Sequence, residues 1–317
     1  MNISPKQLRI FLVLADSLNF SKTAEKMFMT QPSLSKAIRE LEENLGLPLF
    51  ERSTRHVRIT EGGKRLVSIA QTIIGEYDSG MTRLMSSAEH ESLQLTVSAW
   101  PSLANVLVPE MCAILEQRFT APHITILDAP NSRCIDHVIH YQADLAFASI
   151  APSHPDLHYR ELMRDRFVVL SGESWRSKIP PHVKLNDLIG MPIITLTDSS
   201  TAWRYMSAAY LSRGIEYQPK MQLEQISSVI GLVQAGVGLA VLPYLGVFHA
   251  VGMHGVQISE IIDGPLRSIG IINRRTGKPT VLADAAMEVA ALVSKQLIAN
   301  NPRWILPAIS KRSSKRS

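Results

Sequence analysis

The residues with the clearest chemical potential lie on one helix that the sequence predicts after Thr30. Thr30 can cap this helix and Pro32 can stand in its first turn, where the missing amide hydrogen of proline does no harm. Apolar residues separated by four, three and four positions share one side of the helix: Leu34, Ile38, Leu41 and Leu45. The other face is polar and basic near its start: Gln31, Ser33, Ser35, Lys36 and Arg39. Such a face suits hydrogen bonding to base edges in the DNA major groove.

A shorter helix is predicted just before it, from Lys22 to Phe28, with Ser21 as its cap. Two short helices joined by a tight turn form the helix-turn-helix unit, which places its second helix on DNA. A charged outer face is equally typical of an ordinary amphipathic helix pair whose polar side is only solvated. Periodicity alone does not separate these two interpretations.

Two motifs favour the DNA-binding interpretation. The segment AEKMFMTQPSLSKAIRELEENLGLPLFERS, residues 24–53, resembles the winged helix-turn-helix of LysR-type transcriptional regulators. In that family TQPSLS opens the recognition helix and LG-x-PLF-x-R follows it, and both motifs stand unbroken here. The resemblance continues to AGVGLAVLP at Ala235 to Pro243 and covers nearly the whole chain except about its last fifteen residues.

The resemblance implies a regulator that binds double-stranded DNA at an operator with two-fold symmetry. It also implies association as a homodimer or homotetramer and action on RNA polymerase. The family has its wing at RSTRHVRIT, residues 52–60, where alternation predicts a two-stranded ribbon. The residues expected at the DNA are Gln31, Pro32, Ser33, Ser35, Lys36, Arg39, Arg52, Thr54 and Arg55. For the ribbon residues, solvated surface charge is the simpler alternative.

A long helix is predicted from Thr60, with an apolar seam whose members step by three and four: Leu66, Ile69, Ile73, Tyr77, Met81 and Leu84. In an isolated arm such a seam needs a partner, most simply the same helix of a second subunit in a two-stranded coiled coil. Packing on the chain's own domain is the alternative, and the family resemblance favours the dimer. The polar run SSAEHES, residues 86–92, then predicts a linker.

Length and composition indicate a folded chain of about two domains, since 45% of its 317 residues are hydrophobic. It has no run of about eighteen apolar residues and no signal-peptide pattern, so we expect a cytoplasmic protein without a membrane partner. From Arg303 onward there are five basic residues and no acidic one, which predicts a disordered basic tail. Without this tail the chain is formally neutral, so bulk charge does not indicate DNA binding.

After residue 92 strand and helix patterns alternate, which predicts a parallel sheet covered by helices. The resemblance implies a regulatory domain of the periplasmic-binding-protein type 2, with two α/β lobes joined by strands that cross near residues 162–166 and 264–267. The predicted fold is therefore an all-α winged helix-turn-helix with a long linker helix, followed by a two-lobed α/β effector domain. The expected boundaries are 1–60 for the DNA-binding domain, 61–91 for the linker helix and hinge, 92–300 for the effector domain (lobe one 92–163 and 268–300, lobe two 164–265) and 301–317 for the tail.

Ligands in such folds bind between the lobes, where strands end and helices begin, and free amides at helix starts favour a small anion. This rule selects Ser98, Trp100, Ser102, Ser149, Thr197, Ser199, Ser200, Thr201 and Ser227. Each Ser or Thr taken singly is more simply a helix cap, and only their convergence at one cleft favours binding. Trp100 departs from the small or polar residue expected there, and can fill the pocket or stack on an unsaturated ligand. We expect an organic acid as the effector.

No motif in the sequence supports an enzymatic function. The glycines of AGVGLAVLP lack the third glycine of a dinucleotide fingerprint, and the sequence has neither Gly-x-Ser-x-Gly nor a phosphate loop. His154 and His158 flank a proline in a predicted loop, and Cys112 and Cys134 have no metal-ligand spacing. We therefore expect no catalytic residue, metal or cofactor. The remaining alternative is a ligand-binding protein whose helical head contacts another protein.

Overall fold

The computed structural model describes residues 3–52, 57–85, 93–149, 152, 154–275 and 279–309. The chain divides into two units. Met1–Glu91 together with Ile139–Gln142 form the head unit, and Ser92–Val138 together with Ala143–Ser317 form the C-terminal unit. Within the described ranges, no helix is both long enough and apolar enough to cross a bilayer.

The head unit is mainly helical and carries one small ribbon. Its elements in chain order are α1 (Pro5–Ser17), α2 (Phe20–Lys26), α3 (Gln31–Leu45), β1 (Phe50–Arg52), β2 (Val57–Ile59) and α4 (Glu61–Met85). β1 and β2 are antiparallel, with Phe50 opposite Ile59. The centre of the core consists of fully buried side chains from α1, α3 and the turn after α3: Phe11, Leu14, Leu34, Ile38, Leu41 and Leu49.

Both ends of α3 follow from the local sequence. The Thr30 hydroxyl caps its start by accepting a hydrogen bond from the Ser33 amide at 3.4 Å, as predicted. Gly46 ends the helix in the left-handed region at a φ of 69°, which a residue with a Cβ disfavours. The Glu42 carboxylate then accepts hydrogen bonds from the amides of Leu49 and Phe50, which directs the chain into β1.

The start of α2 differs from the prediction. The helix begins at Phe20 and is capped by Asn19, whose side-chain oxygen lies 3.0 Å from the Lys22 amide. Asn is as good a cap as Ser and stands two positions earlier. The predicted cap, Ser21, therefore lies inside the first turn and donates its hydroxyl to Oε1 of Gln31 at 3.3 Å.

Helix α4 carries two apolar stripes rather than one. Leu66, Ala70 and Ile74 are buried in the core of the head unit. A second stripe, at steps of four residues, is exposed: Ile69, Ile73, Tyr77 and Met81. Leu66 therefore faces its own domain, contrary to the prediction that it belongs to the partner seam. The side chain of Leu84 lies outside the described residues.

The C-terminal unit alternates strands and helices over most of its length, as predicted. Its elements are β3 (Gln94–Ala99), α5 (Pro101–Arg118), β4 (His123–Asp128), α6 (Asn131–Ile139), β5 (Leu145–Ala148), β6 (Leu157–Gly172), β7 (His182–Val183), β8 (Ile193–Leu196), α7 (Thr201–Leu211), β9 (Met221–Leu223), α8 (Ile226–Gln234), β10 (Leu239–Pro243), β11 (Val256–Ile261), β12 (Leu266–Arg274), α9 (Val281–Asn300) and β13 (Ile305–Pro307). Short 3₁₀ turns connect several of them.

These strands form a mixed sheet. Its order through the described residues is β4-β3-β5-β12-β6-β10-β8-β9, with β11 and β13 also paired to β6 and β7 paired to β11. β3 runs parallel to β4 and β5, and β8 runs parallel to β9 and β10. β6 and β12 are antiparallel to their neighbours. The sheet thus contains two parallel cores, one in each lobe of the predicted two-lobed fold.

Strand β6 crosses between the lobes. Its residues up to Arg166 pair with β12, and its residues from Phe167 onward pair with β10. β12 begins at Leu266, opposite Arg166, and continues beside β5 in lobe one. The change of partner and the start of β12 agree with the two crossings expected from the sequence.

The segment after α9 corrects the prediction of a disordered tail from residue 301. β13 pairs antiparallel with β6, and Ile305, opposite Asp165, is fully buried. Trp304 stacks on Tyr244 with the ring centroids 5.4 Å apart. The prediction counted the basic residues of this segment and overlooked its two large apolar side chains. Residues 310–317 lie outside the described part of the chain.

Candidate functional sites

The polar face of α3 is open to solvent within the head unit. Its buried stripe consists of Leu34, Ile38 and Leu41, which anchor the helix in the core. Ser35 is half-buried at the edge of this stripe. The other predicted DNA contacts on α3 are all exposed: Gln31, Pro32, Ser33, Lys36 and Arg39. The structure therefore brings these side chains to one accessible surface.

Local contacts on this surface involve Ser33 and Lys36. Oγ of Ser33 lies 2.8 Å from Oγ1 of Thr30, which fixes the first turn of α3. Nζ of Lys36 lies 3.9 Å from a carboxylate oxygen of Glu40. Both members of this ion pair are exposed, so it stabilises the helix by roughly 0.5 kcal/mol or less. Lys36 is therefore available to a phosphate or a base.

The ribbon next to α3 shows only part of the predicted wing. Arg52 is the last residue of β1, but its side chain lies outside the described residues, as do Thr54 and Arg55. Arg58 on β2 lies opposite Glu51 and is exposed. The ribbon thus presents a basic residue, Arg58, that the sequence prediction did not name.

The C-terminal unit contains a cavity of about 520 Å³ that both lobes line. Lobe one contributes the segment from β4 into α6 and the start of α5. Lobe two contributes the ends of β8 and β10 and the starts of α7 and α8, and the crossing strand β12 contributes Arg267. The volume is in the range of small-molecule sites.

Six predicted effector residues line this cavity: Trp100, Ser102, Thr197, Ser199, Ser200 and Thr201. The rule that selected them explains their meeting, because parallel strands end, and the following helices begin, at the same edge of the sheet. Ser200 is also a helix cap, which was the simpler alternative for each of these Ser and Thr residues. Its hydroxyl caps α7 by accepting a hydrogen bond from the Trp203 amide at 3.1 Å.

Three other predicted effector residues are not part of the cavity wall. Ser98 is fully buried, and its hydroxyl lies 2.8 Å from Nδ1 of His137. Ser149 is also buried, and its amide donates to the side chain of Asn131 at 2.7 Å. Ser227 is exposed in the first turn of α8. Position at a strand end or helix start is therefore not enough to place a residue in the cavity wall, because alternate residues of a strand point to different sides of the backbone.

Several helices begin at the cavity wall. The first residues of α5, α6, α7 and α8 all line it: Pro101, Asn131, Thr201 and Ile226. Amides in the first turn of a helix lack intrahelical acceptors, and the helix start carries a partial positive charge. In α5 the cap position is Trp100, which makes no capping hydrogen bond with its side chain. This arrangement favours an anionic group in the cavity.

Arg267 lines the cavity and was not found from the sequence. Its Nε donates to Oδ1 of Asp165 at 3.0 Å, and its Nη2 donates to Oδ2 at 2.7 Å. Arg267 is 3% exposed and Asp165 is 0% exposed, so this is a buried ion pair. The amide of Leu245 also donates to Oδ2 of Asp165, at 3.1 Å. A rule based on strand ends misses Arg267 because it lies inside a crossing strand.

Trp100 forms a buried part of the cavity wall. Its Nε1 donates a hydrogen bond to Oγ of Ser102 at 2.7 Å. The guanidinium carbon of Arg267 lies 5.6 Å from the centroid of the Trp100 ring, within range of a cation–π contact. The indole therefore connects a hydroxyl on α5 with a cation on β12.

Two carboxylates also line the cavity, Asp128 at the end of β4 and Glu224 just before α8. Burial raises the pKa of the Asp128 carboxyl above its usual value. Within the described ranges, neither carboxylate forms an ion pair with a basic residue. Asp128 is the last residue of β4, so the strand-end rule finds it once acidic side chains are included.

A helix-turn-helix with an exposed polar second helix, joined to a two-lobed α/β unit with an interlobe cavity, defines the class of DNA-binding regulators that carry a ligand-binding domain. Residues 5–64 match the family of bacterial regulatory helix-turn-helix proteins, lysR family, and residues 88–292 match the LysR substrate binding domain. The chain belongs to the LysR family of transcriptional regulators. It is a DNA-binding regulator rather than an enzyme.

Curated relatives and solved structures are consistent with this family. The uncharacterized regulator YbhD of Escherichia coli strain K12 is 26% identical over 292 residues, 90% of this chain and 89% of YbhD. The regulator CysB of Burkholderia cenocepacia is 30% identical over 236 residues, 71% of this chain and 73% of CysB. The crystal structure of CbnR superposes with a TM-score of 0.68 at 18% identity, covering 92% of this chain and 99% of CbnR. Full-length CbnR in complex with its target DNA gives a TM-score of 0.67 at 18% identity, covering 92% of this chain and 100% of that one.

Proposed function

We propose that this protein controls transcription from a promoter by binding an operator with two-fold symmetry, and that a small organic acid in the interlobe cavity regulates it. The observation that carries the proposal is the surface of α3, where one stripe is buried in the head unit and the polar side is exposed. A helix anchored on one side and polar on the other is what major-groove reading requires. Like other regulators that act on the chromosome, the protein would work in the cytoplasm.

The DNA contacts proposed for α3 divide by chemistry. Ser33, Lys36 and Arg39 reach base edges, since they stand on the exposed side of its first three turns. Gln31, at the helix start, contacts phosphate through its amide or side chain. Pro32, Ser35, Arg52, Thr54 and Arg55 complete the proposed interface.

Dimerisation through α4 supplies the two-fold symmetry. The exposed stripe of Ile69, Ile73, Tyr77 and Met81 is apolar and continuous along one side of the helix. When the same helix of a second subunit covers apolar side chains at this spacing, it removes them from water, and this burial stabilises the dimer. Pairing of C-terminal units would extend the dimer to a tetramer, and RNA polymerase is the partner through which a bound regulator changes transcription.

The effector proposal rests on the cavity wall. Ser102, Thr197, Ser199 and Thr201 offer hydroxyl groups, and helix starts offer free amides, to one carboxylate-bearing molecule. Ser200 and Trp100 complete the proposed site. A ligand that binds one lobe arrangement better than another shifts the population of that arrangement and, through it, the operator affinity.

A gel-shift assay with fragments of promoter DNA tests the regulator proposal against the alternative of a head that only contacts proteins. We expect a specific complex that full-length protein forms and that Lys36→Ala with Arg39→Ala weakens. Thermal-shift screening of the same protein against metabolite acids tests the effector proposal separately. A ligand present at about one hundred times its Kd stabilises its binding domain by about 2.7 kcal/mol.

A further inference from the structure

The indole of Trp100 contacts two polar groups of the cavity wall. Its Nε1 donates to Oγ of Ser102 at 2.7 Å, and the guanidinium carbon of Arg267 lies 5.6 Å from the ring centroid. All three side chains are more than nine-tenths buried, and all three line the cavity. Their positions are therefore fixed by the fold before any ligand binds.

Each of these two polar groups retains donors that no described residue uses. Arg267 donates hydrogen bonds from Nε and from one hydrogen of Nη2 to Asp165, and no described oxygen accepts a hydrogen bond from its Nη1. The Ser102 hydroxyl already accepts from Trp100, so its own hydrogen is free to be donated. The Ser102 amide stands in the first turn of α5, and no described carbonyl accepts from it.

We propose that Arg267 and Ser102 together bind one carboxylate of the effector, which makes Arg267 a specificity-determining residue of the cavity. The inference rests on the proposed effector function. Guanidinium, hydroxyl and helix-start amide groups are the donors that carboxylate oxygens accept best. Because Asp165 already balances the charge of Arg267, recognition depends on the directions of these donors more than on net positive charge.

The other charged residues of the wall define the rest of the ligand. Asp128 and Glu224 line the same cavity, and neither forms an ion pair with a basic residue in the part of the chain that the structure describes. A second carboxylate on the ligand would meet like charge there. The proposed effector is therefore a monocarboxylate whose other end is neutral or donates hydrogen bonds.

Calorimetry and thermal shift with full-length protein test this inference. The probes are acetate, propionate, butyrate, pyruvate and benzoate, each with its neutral amide, and the dicarboxylates succinate and phthalate. We expect at least one monocarboxylate to raise the Tm, while its amide and the dicarboxylates do not. A dicarboxylate that binds in preference, or an absence of binding by every monocarboxylate, would contradict the assignment.

The variant test must avoid an unpaired buried charge, because Arg267→Gln alone leaves Asp165 without its partner. The double variant Asp165→Asn with Arg267→Gln removes both charges and keeps polar groups that can bond to each other. We expect it to weaken binding of the monocarboxylate at least about tenfold, the loss typical of removing a charge-assisted hydrogen bond. Ser102→Ala should weaken binding less. Arg213→Gln with Asp263→Asn, a partly exposed ion pair of lobe two that does not line the cavity, is the control and should have no effect.

These outcomes separate the inference from the proposed function. If the Asp165/Arg267 double variant binds like the wild type while Thr201→Ala loses affinity, the ligand lies in the cavity but Arg267 does not hold it. In that case the effector proposal stands and the role assigned to Arg267 is wrong. If every cavity variant binds the ligand like the wild type, the effector site lies elsewhere and both are wrong.

Discussion

Asp165 and Arg267 face each other across the two strands that cross between the lobes, and each is the ion-pair partner of the other. The pair is almost completely buried, and Asp165 also accepts a hydrogen bond from the Leu245 amide in lobe two. Two strands and one turn therefore meet at a single carboxylate. The hinge region depends on this ion pair as well as on its backbone hydrogen bonds.

Replacing Arg267 by Met should destabilise the C-terminal unit strongly. The substitution leaves the Asp165 carboxylate buried without its cation, which typically costs about 3–5 kcal/mol. Changing both residues together, to Asn and Gln, should cost much less because no unpaired charge remains. Urea unfolding followed by tryptophan fluorescence measures the free energy of unfolding of both variants. Equal decreases in the two variants would show that the unpaired Asp165 carboxylate is not the cause of the destabilisation.

Lys36 and Arg39 should each contribute to operator affinity, and their kind of contact can be measured. A side chain that reads a base edge contributes about 1–3 kcal/mol of discrimination between cognate and altered sites. One that contacts only phosphate weakens all sequences alike and lowers the salt slope by about one unit. Gel shifts of Lys36→Ala and Arg39→Ala at several salt concentrations distinguish these roles. Lys295→Ala, on α9 of the C-terminal unit, is the control.

If both variants bind the operator as tightly as the wild type, α3 is not the reading helix. Weaker binding to cognate and altered sites alike would move these side chains from the base edges to the phosphates. The wing is tested in the same assay with Arg55→Ala, for which we expect a uniform loss across sequences.

The parts of the fold that sequence patterns predicted well are those determined by neighbouring residues. The Thr30 cap of α3 needs only a few adjacent residues, and it is confirmed. The prediction of Ser21 as the cap of α2 was wrong, because Asn19, two positions earlier, caps the free amides at the start of the helix. Local competition between two good caps cannot be decided by residue type alone.

Contacts between distant segments could not be predicted from sequence patterns. Arg267 reaches the cavity only because β12 pairs with β6, about one hundred residues earlier in the chain. Periodicity also merged the two stripes of α4, since Leu66 and Ile69 are three apart and both fit one helical side. Which of them faces the chain's own domain depends on where α1 packs.

The exposed stripe of α4 should hold the dimer together. Ile73→Asp places a carboxylate in the middle of this stripe, where covering it by a second subunit would require its desolvation. Light scattering should show particles of lower mass, and operator binding should weaken because one head binds less tightly than two. Ile189→Asp is a matched control, since Ile189 in the C-terminal unit is 45% exposed and Ile73 is 46% exposed. An unchanged mass for Ile73→Asp would contradict the dimer proposal.

The C-terminal segment should divide into a structural part and a dispensable part. Truncation after Asn301 removes Trp304 from its stack on Tyr244 and Ile305 from its place beside β6. Ile305 is fully buried and Trp304 is half-buried. Full burial of a large apolar side chain contributes about 1.5–3 kcal/mol, so this truncation should lower the Tm of the C-terminal unit by several degrees or prevent its folding.

Truncation after Ile309 keeps β13 and removes only residues 310–317, with four of the five basic residues of the tail. We expect that shorter deletion to leave both the Tm and specific operator binding at physiological salt unchanged. A large loss of operator affinity in it would assign those basic residues to the DNA interface, and an unchanged Tm after the longer deletion would show that β13 contributes nothing to the stability of the unit.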